Sequence, residues 1–184
     1  MPKPPARSFP LLTSKRLTLR APTMADAEPF RAILSIPEVT RFSNWPEAPT
    51  KAHGERFMRW MGKLHASGAG CAWMIQHRRS GDVIGAIRFN RFEKKWRNGE
   101  IGYELHPNHW GQGLMTEAVG AVVACGHEHF RLNRIEAWTL PGNGASDRVL
   151  EKCGFRFEGV LRQRAWFKGS FHDFRMFGRL AGEP

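Results

Sequence analysis

Polar and apolar residues alternate through Arg16-Leu17-Thr18-Leu19-Arg20 and stop at Pro22, and this period of two predicts a half-buried opening strand. Thr23 then offers a hydroxyl cap for a helix whose positive end is favoured by Asp26 and Glu28. Helical spacing returns from Thr50 to about His65, gathering Phe57, Met58, Met61 and Leu64 on one face before the breaker Gly68-Ala69-Gly70. Two β-prone apolar runs, 72–77 and 83–92, flank the turn Ser80-Gly81-Asp82 and predict a hairpin. A second turn at 94–98 leads into a strand at 100–105, antiparallel to its neighbour.

The pattern changes after His106-Pro107. A loop, Trp110-Gly111-Gln112-Gly113, opens a strongly apolar helix over 114–130. A strand at 134–140, a short helix at 146–153 ended by Gly154, and a closing hairpin of 155–166 with 171–180 around Lys168-Gly169-Ser170 complete the chain. Antiparallel strands followed by a strand-helix-strand unit predict an α/β (α+β) fold, a mixed and mostly antiparallel sheet flanked by helices. The chain has 184 residues, 41% hydrophobic and 24% charged, which fits a single domain over 12–181 and excludes collagenous and wholly disordered classes. The segment 1–11, with four prolines in its first ten residues, reads as a flexible tail.

Lys and Arg number 28 against 17 Asp and Glu, a formal net charge of +11, so the surface attracts phosphate-bearing partners: nucleic acid, the ribosome or a phosphorylated cofactor. Cys71, Cys125 and Cys153 lie in apolar surroundings without a C-x-x-C pair or zinc-like His spacing, so no metal is expected and a reducing cytoplasm is. The longest uncharged apolar run, 118–125, is far short of the ~20 residues that span a bilayer, so no membrane association is expected.

The chemistry concentrates in Gly102-Tyr103-Glu104-Leu105-His106-Pro107 and Trp110-Gly111-Gln112-Gly113-Leu114-Met115-Thr116-Glu117-Ala118. A glycine loop entering a helix exposes unpaired amides at the positive dipole end, a seat for pyrophosphate; its plainer reading is a tight turn. Neither the Gly-Lys-Ser/Thr ending of a nucleoside-triphosphate loop nor the three-glycine dinucleotide fingerprint is present. Downstream stand Asn143-Gly144-Ala145-Ser146, then Arg148-Val149-Leu150-Glu151-Lys152-Cys153-Gly154-Phe155 and Glu158-Gly159. With these motifs in this order the chain resembles the GNAT acetyltransferase superfamily, and within it the Rim-type group that acetylates the N-termini of ribosomal proteins. The likeness runs from Leu12-Thr13 through Gly81-Asp82-Val83-Ile84-Gly85 to Asp173.

The resemblance implies a twisted sheet splayed near its middle, with acetyl-CoA between two strands ending near Leu105 and Leu140. Its pyrophosphate would rest on the amides of Gln112, Gly113, Leu114 and Met115. It further implies that the backbone N–H of Leu105 or His106 faces the thioester oxygen, that Ser146 protonates the leaving sulfur, and that Asn143 holds the pantetheine arm. Local capping of the short helix explains Asn143 and Ser146 equally well. Lys152 and Arg148, four residues apart on that helix, either reach CoA phosphates or form a solvated basic face. Trp110 and Met115 occupy loop positions where the superfamily more often has Gln or Arg, and Gly or Ala.

Some relatives carry a Glu before an aromatic residue in the penultimate strand, where this chain has Ala165 before Trp166. Glu104 is then the expected general base, its alternative role being a cross-strand partner of Arg88; His106 and His172 are weaker choices. At pH 7, freeing an α-amine of pKa ~7.8 costs ~1 kcal/mol, whereas freeing a lysine of pKa ~10.4 costs ~4.6 kcal/mol, so a weak base suits a protein N-terminus. Acetyl transfer to such an α-amine is the function expected, with ribosome association as a corollary. The alternatives are a small amine acceptor, served by an acidic pocket around Glu28, Glu38, Glu47 or Glu55, and a non-catalytic module that binds CoA or nucleic acid. Trp45 and Trp60 are either acceptor-pocket walls or ordinary core.

Overall fold

The computed structural model describes residues 8–183. Its strands are β1 Leu12–Thr13, β2 Leu17–Arg20, β3 Cys71–His77, β4 Val83–Glu93, β5 Asn98–Leu105, β6 Arg134–Thr139, β7 Arg156–Phe167 and β8 Ser170–Leu180. They form one sheet in the order β1-β2-β3-β4-β5-β6-β8-β7, antiparallel everywhere except between β5 and β6. The helices are α1 Ala27–Leu34, α2 Pro37–Thr40, α3 Lys51–Ser67, α4 Leu114–Glu128 and α5 Gly144–Lys152. The predicted mixed sheet is therefore present, with α2 and the short β1 as elements that periodicity did not announce.

The period of two explains how the sheet is covered on both faces. Along β3, Trp73 and Ile75 pack with α4 residues Val119, Val122 and Val123, while Ala72 and Met74 pack with Phe30, Phe57, Met58 and Met61 of α1 and α3. A strand buried on both sides reads as a continuous apolar run, which is why β3 has no alternation. Thr50 caps α3 and left-handed Gly68 ends it, as the breaker predicted. Asp26 does more than favour a helix end: it is buried and takes two hydrogen bonds from Arg20, at 2.8 and 2.6 Å, tying the α1 entry to β2.

Of the predicted tail 1–11, residues 1–7 lie outside the described residues. The remainder is anchored: the Phe9 ring packs against His65 and Trp73, and the Trp73 indole N–H donates to the Pro10 carbonyl at 2.7 Å. The other sheet edge is β7, where the register shifts between Leu161 and Ala165. Exposed Arg162, Gln163 and Arg164 form a bulge, Gln163 adopting a φ of 48° and donating its N–H to Asp173 at 2.8 Å. At the hairpin tip Lys168 reaches back to the Thr40 carbonyl at 2.7 Å. Among the described residues no helix is long and apolar enough to cross a membrane.

Candidate active site

The parallel seam between β5 and β6 is the weak line of the sheet. Only Asn98, Gly99 and Glu100 pair with Arg134, Ile135 and Glu136; beyond them the two strands run on to Leu105 and Thr139 without pairing. On the other side of β5 the ladder to β4 persists to Leu105, and the His106 amide continues it by donating to Ile84 O at 2.8 Å. Successive peptide groups of a strand point to opposite edges, so the N–H and C=O of Leu105 face the gap. The Leu105 carbonyl is taken by the Trp110 indole N–H at 2.7 Å, which leaves the Leu105 amide as the donor in the gap. Of the two amides expected there, His106 is thus excluded by its strand bond. Its ring is also engaged, Nδ1 accepting from the Asn108 amide at 3.2 Å to cap a short 3-10 turn.

One end of the gap meets the start of α4. Gly111 and Gly113 have φ of 71° and 73°, a conformation that L side chains rarely adopt, and Gly113 is the N-cap. The amides of Leu114, Met115 and Thr116 in the first turn have no intrahelical acceptor. A clasp that motif reading missed holds this loop. Glu117 accepts from Ser14 Oγ at 2.6 Å and from Arg16 N and Nε at 2.8 Å each, while Arg16 Nη1 donates to the Gln112 carbonyl at 2.9 Å. Burial alone would raise the Glu117 carboxyl, but the Ser14 and Arg16 hydrogen bonds outweigh it and hold it below the usual range. Gln112 spends one N–H of its side-chain amide on Asn108 O at 2.9 Å, which fixes the side chain beside the loop. A cleft of about 460 Å³ runs from Gly111, Gly113 and Met115 to Arg148 and the exposed Lys152 on α5. Glycine curvature, free amides and two cations fit the pyrophosphate arm of a CoA thioester.

A second cleft, about 700 Å³, lies on the α3 side, walled by Trp45, Phe57, Trp60 and Trp138 with Arg56 and Arg88. The two clefts share Phe42, Ser43, Tyr103, Glu104, Asn143 and Ser146, so they meet at the gap. Asn143 caps α5 by accepting from the Ser146 amide at 3.3 Å, as its local reading required, and still lines both clefts. The Ser146 hydroxyl lines them too, and among the described residues nothing bonds to it. Tyr103, the chain's one tyrosine, lies in the Gly102–Pro107 motif but had no role assigned from sequence. Its hydroxyl donates to the Ser146 carbonyl at 3.3 Å, and burial pushes its ionisation well above the ordinary range, so it stays a neutral donor.

Glu104 is buried and doubly held. Arg88 grips it at 2.6 and 3.0 Å from the diagonal position on β4, and the Trp45 indole N–H donates at 2.6 Å. The Arg88 guanidinium itself sits 5.1 and 5.8 Å from the Trp45 and Trp60 ring centres. The cross-strand reading of Glu104 is therefore present, and Trp45 is both core and cleft wall. None of the four carboxylates expected to make an acidic pocket lines the larger cleft, whose acids are Glu100 and Glu104: Glu28 and Glu55 pair with Arg31 and Arg59, Glu47 faces Lys168, and Glu38 lies on the other cleft. Ala165 faces His172 across the hairpin and lines neither cleft.

Residues 16–156 match the acetyltransferase (GNAT) domain family. The chain belongs to this family. The uncharacterized N-acetyltransferase YoaA of Bacillus subtilis (strain 168) is 36% identical over 169 residues, covering 92% of this chain and 96% of that one. The ribosomal-protein-serine acetyltransferase of Escherichia coli (strain K12) is 28% identical over 138 residues, 74% and 76% of the two chains. The solved structure of RimL, a ribosomal L7/L12 α-N-protein acetyltransferase in complex with coenzyme A, superposes with a TM-score of 0.84 at 22% identity, over 92% and 97% of the chains. As a GNAT member the chain is an acetyl-CoA-dependent N-acetyltransferase. The gap between β5 and β6 is accordingly the splay of the GNAT sheet.

Proposed function

We propose that this GNAT enzyme acetylates a protein N-terminal α-amine, of the kind a ribosomal protein presents. The observation that carries the reading is the state of the one carboxylate at the meeting of the clefts. Glu104 already accepts three hydrogen bonds from Arg88 and Trp45, which occupy most of its lone pairs and leave few sites to meet an incoming amine directly. The free proton acceptor best matched to such a site is ordered water with Glu104 as its orienting anion, and only an amine that is easily deprotonated reacts well under those terms. The E. coli relative named for ribosomal-protein serine supports the same acceptor class.

The donor is acetyl-CoA, whose thioester supplies the activated acetyl group. Leu114, Met115 and the neighbouring loop amides of Gln112 and Gly113 hold its pyrophosphate, and Lys152 and Asn143 hold the rest of the arm. The Leu105 N–H stabilises the carbonyl oxygen as negative charge grows on it. The Ser146 hydroxyl donates its proton to the leaving sulfur, and Tyr103 fixes the helix turn that carries Ser146. The test compares two short peptides from pH 6 to 9, one with a free N-terminus and blocked lysines, the other capped with one free lysine. The free α-amine should react faster throughout. Preference for the lysine peptide would overturn the reading, and activity on neither would transfer it to a small amine.

A further inference from the structure

The end of the sheet opposite the splay carries a feature that acetyl transfer does not use. The β4–β5 turn reads Lys94-Lys95-Trp96-Arg97, all exposed, and Arg131 joins it from the segment after α4. Among the described residues none of Lys94, Lys95, Arg97 and Arg131 forms an ion pair, although eleven ion pairs occupy cations elsewhere. The turn's one carboxylate is Glu93, on its upstream shoulder. Trp96 is 66% exposed, with Lys95 Nζ 4.9 Å from its ring centre.

The backbone points the same way. Arg97 and Arg131 have φ of 50° and 58°, a region where glycine or asparagine is cheaper. Arg97 ties the two segments together: its Nε donates to Arg131 O at 2.8 Å, and its carbonyl accepts from the Asn133 amide at 2.7 Å. Among the described residues neither guanidinium meets a carboxylate, so two long cations stand in costly backbone positions with their charges uncompensated, and such positions cluster where residues serve a contact.

We infer that this tip is a docking surface for single-stranded RNA. One open indole face among four unpaired cations matches what an unpaired nucleotide offers, a base to stack and a phosphate to pair. A bilayer would be held by several apolar anchors, and Trp96 is the one large apolar side chain exposed on this turn. The choice of RNA over DNA rests on the ribosomal-protein acceptor proposed above. The eight residues of β5 put the tip about 25 Å from Leu105, so RNA bound there leaves both clefts open.

The test is fluorescence anisotropy with a labelled single-stranded RNA 15-mer of mixed sequence, across a salt series. Wild-type protein should bind with a steep salt dependence, and the double variant Lys94→Glu with Lys95→Glu should bind at least about tenfold more weakly. Trp96→Ala, an exposed position, should lose about fivefold and keep the salt slope. Arg162→Glu with Arg164→Glu makes the same change in net charge on the β7 bulge and should leave RNA affinity within about twofold. Equal weakening by both double variants would reduce the binding to net charge and overturn the proposal, as would no binding at 50 mM salt or capture of anionic vesicles in place of RNA. The tip variants should acetylate the short α-amine peptide at the wild-type rate. Failure of that peptide with every variant, wild type included, would strike the acceptor reading while the RNA measurement still judged the surface.

Discussion

The two edges of β5 differ. Toward β4 the strand stays paired from Asn98 to Leu105 across a single bulge at Asn90, with diagonal Arg88 and Glu104 locked together; toward β6 it pairs over three residues and lets go. The same peptide alternation therefore serves opposite ends. Groups facing β4 are consumed in holding the strand still, and the Leu105 N–H on the other edge is available because its ladder has ended. Chemistry sits where the sheet stops satisfying itself, and the site is accurate because the opposite seam does not yield.

The largest effect should come from attacking the closed edge. Arg88→Met leaves Glu104 buried without its cation, the two side chains being 7% and 5% exposed, and should cost about 3–5 kcal/mol in urea unfolding. Pairing it with Glu104→Leu should recover most of that loss, and a single variant within 1 kcal/mol of wild type would mean that the seam does not depend on the pair.

Striking the open edge should touch rate and leave stability alone. Ser146→Ala is expected to lower kcat about thirtyfold, roughly 2 kcal/mol, with little change in the acetyl-CoA KM. Wild-type turnover under conditions where chemistry is rate-limiting would return Ser146 to its capping neighbourhood.

The smallest effect concerns the clasp at α4. Because Glu117 is held below the ordinary carboxyl range, its contribution is present above the unfolded pKa and disappears as pH falls through the folded value. Arg16 is 40% exposed and screened, so Glu117→Gln should cost only about 1 kcal/mol at pH 7. In melting curves the gap between variant and wild type should be full above the ordinary carboxyl pKa of about 4.3 and shrink as pH falls below it; a gap that does not shrink at all on acidification would show that the carboxyl's charge is not what holds the loop.

Elements governed by local periodicity were legible from sequence: α3 with its Thr50 cap, the β3–β4 hairpin, and the α4 entry between two glycines. Motif order singled out Asn143 and Ser146, and both line the two clefts. What escaped depends on contacts between distant residues. Trp45 reaches Glu104 across 59 positions and Arg16 reaches Gln112 across 96, and no window of sequence encodes either. His106 failed for a subtler reason: amide direction depends on register, and a shift of one residue reverses it. Tyr103 stood inside the Gly102–Pro107 motif without a role assigned to it; the further signal was its singularity in a chain with 13 phenylalanines, since a hydroxyl on a largely buried ring needs a partner.

The bulge at Arg162–Gln163–Arg164 bears on what the protein avoids. Strand β7 is twelve residues long, forms an open border of the sheet and exposes Phe157, Val160, Leu161 and Trp166, a combination that invites chains to stack edge to edge. A left-handed Gln163, held by Asp173, breaks the straight run of outward amides midway and plants an arginine on each side of the break. An approaching strand can zip onto neither half for more than a few residues before meeting misaligned backbone and positive charge. A bulge and charge placed at such a border are general devices that disfavour edge-to-edge pairing of strands.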